Sequence, residues 1–179
     1  MRGIKGLWSG LLCVSMVLLL AAVSSNAAIA EYFKDDFENG LGDWIASGQD
    51  WAVTTDTYRG GSSSVTDSPS GNYLDNTDAS LTLAGSIDLS AATSPVLTFW
   101  HKYALSYTSW SDRAYVDFST DGGFTWSNVK AWGPGGTIAT WQLVQINLND
   151  AQYKVSDLKI RFRLTSDSSY QGDGWYIDD

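Results

Sequence analysis

The sequence predicts an all-β domain, two antiparallel sheets packed face to face, on three observations. After Ala30 no stretch sustains a helical period of apolar residues. Short runs instead alternate with a period of two: Ala114, Val116 and Phe118 against Tyr115, Asp117 and Ser119; Val144, Ile146 and Leu148 against Gln145 and Asn147; Ile160, Phe162 and Leu164 against Lys159, Arg161 and Arg163. Each run has one face for a core and one for water or a ligand. Clusters of Gly, Asn, Asp, Ser and Pro separate the runs, which is the punctuation of many short strands rather than of strand–helix–strand units.

In chain order, strands are expected near 31–38, 50–54, 62–66, 80–88, 95–104, 114–119, 124–132, 144–148, 159–164 and 173–178. The polar stretch 66–79 is expected to be a surface excursion or a second ion site. Between the sixth and seventh strands, Ser119-Thr120-Asp121-Gly122-Gly123-Phe124-Thr125-Trp126 fits the Asp-box pattern Ser-x-Asp-x-Gly-x-Thr-Trp. Asp121 can accept backbone N–H groups of the turn, the glycines permit positive φ, and Trp126 can fold over the hairpin, so turn chemistry accounts for every residue.

The first thirty residues read as a secretory signal peptide: Arg2 and Lys5 open it, Leu11 to Val23 is apolar, and Ala28-Ile29-Ala30 is a small-x-small cleavage site. Removing them leaves residues 31–179 as one domain, large enough to bury a real core. The chain's one cysteine, Cys13, leaves with the leader, so an exported domain must be held together without a disulfide. The formal charge of -9 becomes more negative when Arg2 and Lys5 go, which argues against nucleic acid and anionic membrane as partners. The last run stops at Asp179 after few residues, so the chain is expected to be a fragment of a longer frame, truncated at its C-terminus.

Carboxylates interrupt the apolar context at both ends of the domain: Asp35, Asp36 and Glu38 near its start, Asp178 and Asp179 at its close. Like charges in neighbouring strands repel unless they face water or share a cation. Calcium takes six to eight oxygens, mixing carboxylates with carbonyls. A sandwich whose first and last strands meet would supply Glu38 and Asp178 as ligands of a structural calcium ion, with Asp36 as a third candidate. The competing reading is exposed edge carboxylates.

His101 is the sole histidine. Without cysteine it cannot build a nitrogen-ligated zinc site, and no Gly-x-Ser-x-Gly elbow or His-Glu-x-x-His selects a catalytic centre. A packed strand histidine is expected, and no catalytic residue is assigned. Aromatic rings are the candidates for ligand contact, since ring faces stack on sugar C–H groups: Trp100, Trp110 and Tyr115 foremost, with Tyr103, Tyr107, Trp132 and Tyr170. Trp44, Trp51, Trp126, Trp141 and Trp175 are expected in the core. Lys159, Arg161 and Arg163 form a basic ladder. Arg161 could meet acidic sugars, or the ladder could pair with Asp117 across strands.

The blocks Asp35-Asp36-Phe37-Glu38-Asn39-Gly40-Leu41-Gly42-Asp43-Trp44, Trp51-Ala52-Val53-Thr54-Thr55, Asp67-Ser68-Pro69 with Gly71-Asn72-Tyr73, Ile87-Asp88-Leu89-Ser90, Leu97-Thr98-Phe99-Trp100-His101, the Asp-box, Ile160-Arg161-Phe162-Arg163-Leu164 and Asp173-Gly174-Trp175-Tyr176-Ile177-Asp178-Asp179 together resemble the MAM-like jelly-roll domain. That domain accompanies immune-inhibitor-A-type secreted metallopeptidases and other bacterial exported proteins. The resemblance implies a jelly roll, an ion near Glu38 and Asp178, and a role in adhesion, substrate targeting or support of a neighbouring catalytic domain. With the module expected to follow the leader directly, no peptidase domain is expected ahead of it.

The expected function is therefore a non-catalytic extracellular adhesion or targeting module with structural calcium, part of a larger secreted protein. Its partner would be an extracellular glycan or protein, with no membrane insertion once the leader is cleaved. Two alternatives are a carbohydrate-binding module and an accessory fragment of a secreted metallopeptidase.

Overall fold

The period-two runs pair as their alternation dictates. A computed structural model describes residues 30–48, 51–106 and 111–179. The leader assignment and the ring candidates Tyr107 and Trp110 fall outside the described residues. The strands are β1 (Trp44–Ser47), β2 (Ala52–Thr54), β3 (Ser64–Thr66), β4 (Asp78–Leu83), β5 (Val96–Leu105), β6 (Arg113–Ser119), β7 (Ser127–Trp132), β8 (Gly136–Asn147), β9 (Lys159–Thr165) and β10 (Gly174–Asp178). The first sheet has the order β1-β4-β9-β6-β7 and the second β2-β3-β10-β5-β8, with every pairing antiparallel. The chain passes repeatedly from one sheet to the other, which makes the sandwich a jelly roll.

Register explains which side chains meet. In the first sheet Ala114, Val116 and Phe118 oppose Leu164, Phe162 and Ile160 and point inward, while Tyr115 and Asp117 oppose Arg163 and Arg161 and point outward. In the second, Trp175 and Ile177 oppose Tyr103 and His101 on the inner face, and Tyr176 and Asp178 oppose Lys102 and Trp100 on the outer. The sheets interlock through rings: Phe162 lies 5.1 Å from Phe99 and 5.5 Å from Trp175, centroid to centroid. Trp175, fully buried, also abuts Trp51 and Trp132, and emptying that position would cost about 3–5 kcal/mol.

Four expectations need correction. Residues 31–37 form no strand; Asp35 instead accepts the Phe37 N–H and the Trp44 indole N–H, both at 2.8 Å, so side chains tie this segment down and the first ladder begins at Trp44. The stretch 66–79 is no free excursion. Thr66, Asp67, Ser68 and Tyr73 are buried, and its backbone is zipped to 166–175 through Tyr73 N–H to Gly172 O, Asn76 N–H to Asp167 O and Ser166 N–H to Thr77 O. Trp126 and Trp141 are half-exposed on outer faces rather than in the core, because each falls on the outward phase of its hairpin or strand. Conversely Trp132 and Tyr103 pack against the core.

His101 is a core residue, as expected. It is 2% exposed, accepts the Trp175 indole N–H at its Nδ1 (3.1 Å) and lies 4.4 Å from the Trp132 ring. Burial, with Lys130 adding its charge, pushes the imidazole down to about 4.

Candidate functional site

The loop between β2 and β3 gathers both ends of the domain. Glu38 Oε1 accepts the N–H groups of Ser62 and Ser63, each at 2.8 Å, and Oε2 accepts the Ser62 hydroxyl at 2.7 Å. Asp178 Oδ2 accepts the N–H groups of Arg59 (2.6 Å) and Gly60 (3.1 Å), and its Oδ1 the N–H of Asp179 (2.9 Å). Glycine is required at 61: its φ is +56°, and a Cβ there would overlap the Glu38 carboxylate. Gly60 also lies close beneath Asp179, whose Oδ2 would be 2.9 Å from a Cβ.

The two carboxylates differ in electrostatics. Glu38 is exposed, and the Ser62 hydroxyl and backbone bonds hold it below the usual carboxylate range. Asp178 is fully buried and is pushed up by that burial; the Arg59 and Gly60 N–H groups oppose the shift, and the Asp179 charge adds to it. No ion pair involves Asp178 among the described residues. Asp36 makes a local turn instead, its Oδ1 accepting the Glu38 N–H at 3.3 Å. Among the described residues no three acidic or histidine side chains are clustered closely enough to hold a metal by themselves, so any cation here would draw on backbone and hydroxyl oxygens as well.

Beside this rim lies the outer face of the second sheet. The same loop covers β3 and β10 there: Ser64 Oγ donates to Thr57 O at 2.7 Å, and Ser64, Thr66 and Tyr176 are buried beneath it. At β5 the cover thins to one side chain of the loop, Arg59. Outward phase puts Trp100 and Lys102 on this face, with Leu143 of β8 directly opposite Trp100. The Arg59 guanidinium lies 4.2 Å from the Trp100 ring centre, and Lys102 Nζ sits over two rings, Tyr176 at 4.8 Å and Trp141 at 5.8 Å.

The outer face of the first sheet is a closed network. Asp117, 1% exposed, accepts from Arg161 Nε and Nη2 (3.1 and 2.8 Å), Arg163 Nε (2.9 Å) and Asn128 Nδ2 (3.1 Å). Burial opposes ionisation of Asp117, yet the bonds from Arg163, Arg161 and Asn128 hold it below the usual carboxylate range. The Arg161 guanidinium lies 4.3 Å from the Trp126 ring centre and that of Arg163 4.5 Å from the Tyr115 ring centre. Tyr115 and Arg161 are thus engaged within their own sheet, in the cross-strand pairing that was the alternative to sugar contact.

A family model, Reelin subrepeat B, matches residues 60–179. The chain belongs to that family. Subrepeat B therefore begins inside the β2–β3 loop, taking in Ser62, Ser63 and Asp178 and leaving Glu38 upstream. The chain is also 28% identical over 166 residues to Bacillopeptidase F of Bacillus subtilis (strain 168), covering 88% of this chain but only 11% of that protein. Among solved structures, the K2 cleaved adhesin domain of Lys-gingipain superposes with a TM-score of 0.58 at 17% identity, over 82% of this chain and 96% of that one. The K3 adhesin domain of Lys-gingipain from Porphyromonas gingivalis w83 gives 0.51 at 18%, over 84% and 100%. The CBM22-2 xylan-binding domain of Paenibacillus barcinonensis Xyn10C gives 0.50 at 14%, over 83% and 96%. At such identities the likeness is one of fold.

Three parts of the subrepeat B site escaped sequence reasoning. Ser62 and Ser63 are loop serines whose role is set by backbone N–H direction, which leaves no sequence pattern. Lys102 carries no sequence signal, and Trp141 is expected in the core, because only strand phase reveals that they share a face. Asp67 lies in the 66–79 stretch, for which the sequence predicts a surface excursion or a second ion site. It is fully buried, its Oδ1 accepts the Trp175 N–H at 2.7 Å, and its Oδ2 has no partner. Burial, with Asp173 nearby, pushes it up to about 7.

Proposed function

We propose that this chain is a non-catalytic interaction module of an exported protein, MAM-like in arrangement, stapled at one rim by calcium. The observation that carries the binding role is the uncovered half of the second sheet's outer face, where Trp100, Trp141 and Leu143 stand beside Lys102 and Arg59. Such a mixture of ring faces and cation heads suits a polar, extended partner. Non-catalytic use is supported by His101, which is spent on the core and has no nucleophile assigned to it.

Calcium fits the rim chemically. Asp178 is buried beside Asp179 with N–H donors but no countercharge, and a divalent cation would remove the repulsion between them. Glu38 on the same loop would be the second carboxylate, with Asp36 near it. The ion would fasten the two ends of a disulfide-free domain. Export is supported by the leader sequence and by the likeness to part of Bacillopeptidase F; the small share of that protein covered supports an accessory role within a longer chain.

A carbohydrate-binding module is the favoured form of the reading, because indole faces and a long lysine are the groups that the uncovered face presents. The test is a glycan array probed with the secreted chain. Saturable binding to at least one glycan, with no cleavage of it, is expected. Release of sugar or peptide fragments would contradict the non-catalytic assignment, and an array that stays blank would remove the glycan-binding form.

A further inference from the structure

We infer that the uncovered outer face of the second sheet selects acidic polysaccharide, a polymer of uronic acid, with Lys102 and Arg59 meeting sugar carboxylates and Trp100 and Trp141 carrying the sugar rings. This rests on the glycan-binding reading above and narrows it to one ligand class. The argument starts from where the chain's few cations go. With 11 Lys and Arg against 20 Asp and Glu, a cation on this protein has acids in plenty to pair with. Arg161 and Arg163 do so, on Asp117. Lys159 donates to the carbonyls of Leu83 and Ala84, and Lys154 to that of Thr93.

Lys102 and Arg59 do neither, and they share that with Lys34, Arg113 and Lys130, but of these they alone stand together on the outer face of the second sheet. Among the described residues neither forms an ion pair within 4 Å, and their heads lie on ring faces at one side of the same sheet. A cation on an aromatic face keeps its charge available for an anion from solvent, whereas a carboxylate partner would have cancelled it. The rest is geometry. Trp100 and Lys102 are two residues apart on β5, about 7 Å along the strand. Leu143, 48% exposed, extends the apolar surface from Trp100 onto β8, and Trp141 lies beside Lys102, where the β5–β8 register shifts. An extended polymer lying along β5 and β8 would meet the Trp100 ring first and then the Lys102 ammonium with the Trp141 ring next to it. Acids flank both cations: Asp178, opposite Trp100, and Asp179, against Gly60, at the Arg59 end, and Asp173, which accepts the Tyr176 hydroxyl, at the Lys102 end; Asp178 and Asp179 crowd Arg59 most, so Lys102 is the decisive position.

The test uses the full secreted chain and two probes of equal length: a short oligogalacturonide, too short to gel with calcium, and its fully methyl-esterified form, which has the same rings without the charge. Isothermal titration should show the acid bound at least about tenfold more tightly than the ester, a difference of about 1.4 kcal/mol. K102A should erase that preference, K102R should restore it, and W141A should weaken both probes. Far-ultraviolet circular dichroism confirms that each variant is folded. Equal affinity for acid and ester, or a preference indifferent to K102A, would overturn the inference. A neutral glycan retained on the array would in that case leave the broader binding reading standing, whereas a blank array would take both down.

Discussion

Glu38 and Asp178, 140 positions apart in the chain, take hydrogen bonds from adjacent parts of one loop: Ser62 and Ser63 donate to the first at 2.8 Å, Arg59 and Gly60 to the second at 2.6 and 3.1 Å. A segment of five residues thus fastens the beginning of the domain to its last strand. Residues 31–179 hold no cysteine, and this loop occupies the place that a disulfide would take.

The loop's dependence on glycine is open to a direct check. Gly61→Ala combines a positive φ with overlap on the Glu38 carboxylate. A urea titration should show a loss of about 1–3 kcal/mol, whereas Gly85→Ala, where a side chain meets open space, should stay near wild type. Equal losses at both positions would mean that Glu38 does not close on the loop.

Two buried groups give the domain opposing pH responses. Asp67, raised to about 7 from an ordinary 3.8, binds more proton folded than unfolded, so its contribution is present below pH 3.8 and is lost as pH rises through about 7. His101, lowered to about 4 from 6.5, binds less, so its contribution is present above pH 6.5 and is lost as pH falls through about 4. Over the shared range the two slopes offset one another. Asp67→Asn should unmask the histidine limb: denaturant midpoints should climb from pH 4 to 6.5, and the variant should exceed wild type at pH 8. Parallel curves for the two proteins would show that Asp67 ionises freely.

The first sheet's outer network is a matter of stability and not of binding. Asp117→Ala leaves Arg161 and Arg163 without their shared carboxylate, and breaking a pair this enclosed costs about 2–4 kcal/mol, discounted for arginines that are 21% and 23% exposed. The expected result is a lowered unfolding midpoint with glycan affinity unchanged. A change in affinity at constant stability would move the binding face to this sheet.

The all-β class and the phases of β6, β8 and β9 were legible because one face is buried, and burial writes itself into alternation. The first strand was misplaced because residues 31–38 carry rings and acids in strand-like order, but the segment is held by Asp35, which accepts the Phe37 backbone N–H and the Trp44 indole N–H, and not by a ladder. The site was half legible. Glu38 and Asp178 announced themselves as acids in apolar context, and the structure brings both to one loop. Their donors did not, because a backbone N–H has no letter of its own. The face that holds Trp100 also holds Lys102 and Trp141, a grouping that only register can disclose. Asp67 stayed hidden because the polar stretch 66–79, just past the strand expected at 62–66, reads as a surface excursion until it is seen zipped to 166–175.

The most direct test of the clamp is a calorimetric melt of the secreted chain in excess calcium and again in excess chelator. Calcium at about 100 times its dissociation constant adds about 2.7 kcal/mol to the folded state, which for a domain of this size raises Tm by roughly 5–10 °C. That rise should disappear in Asp178→Asn. An identical Tm in calcium and in chelator would contradict the cation clamp and leave the loop's own hydrogen bonds as the whole of the fastening.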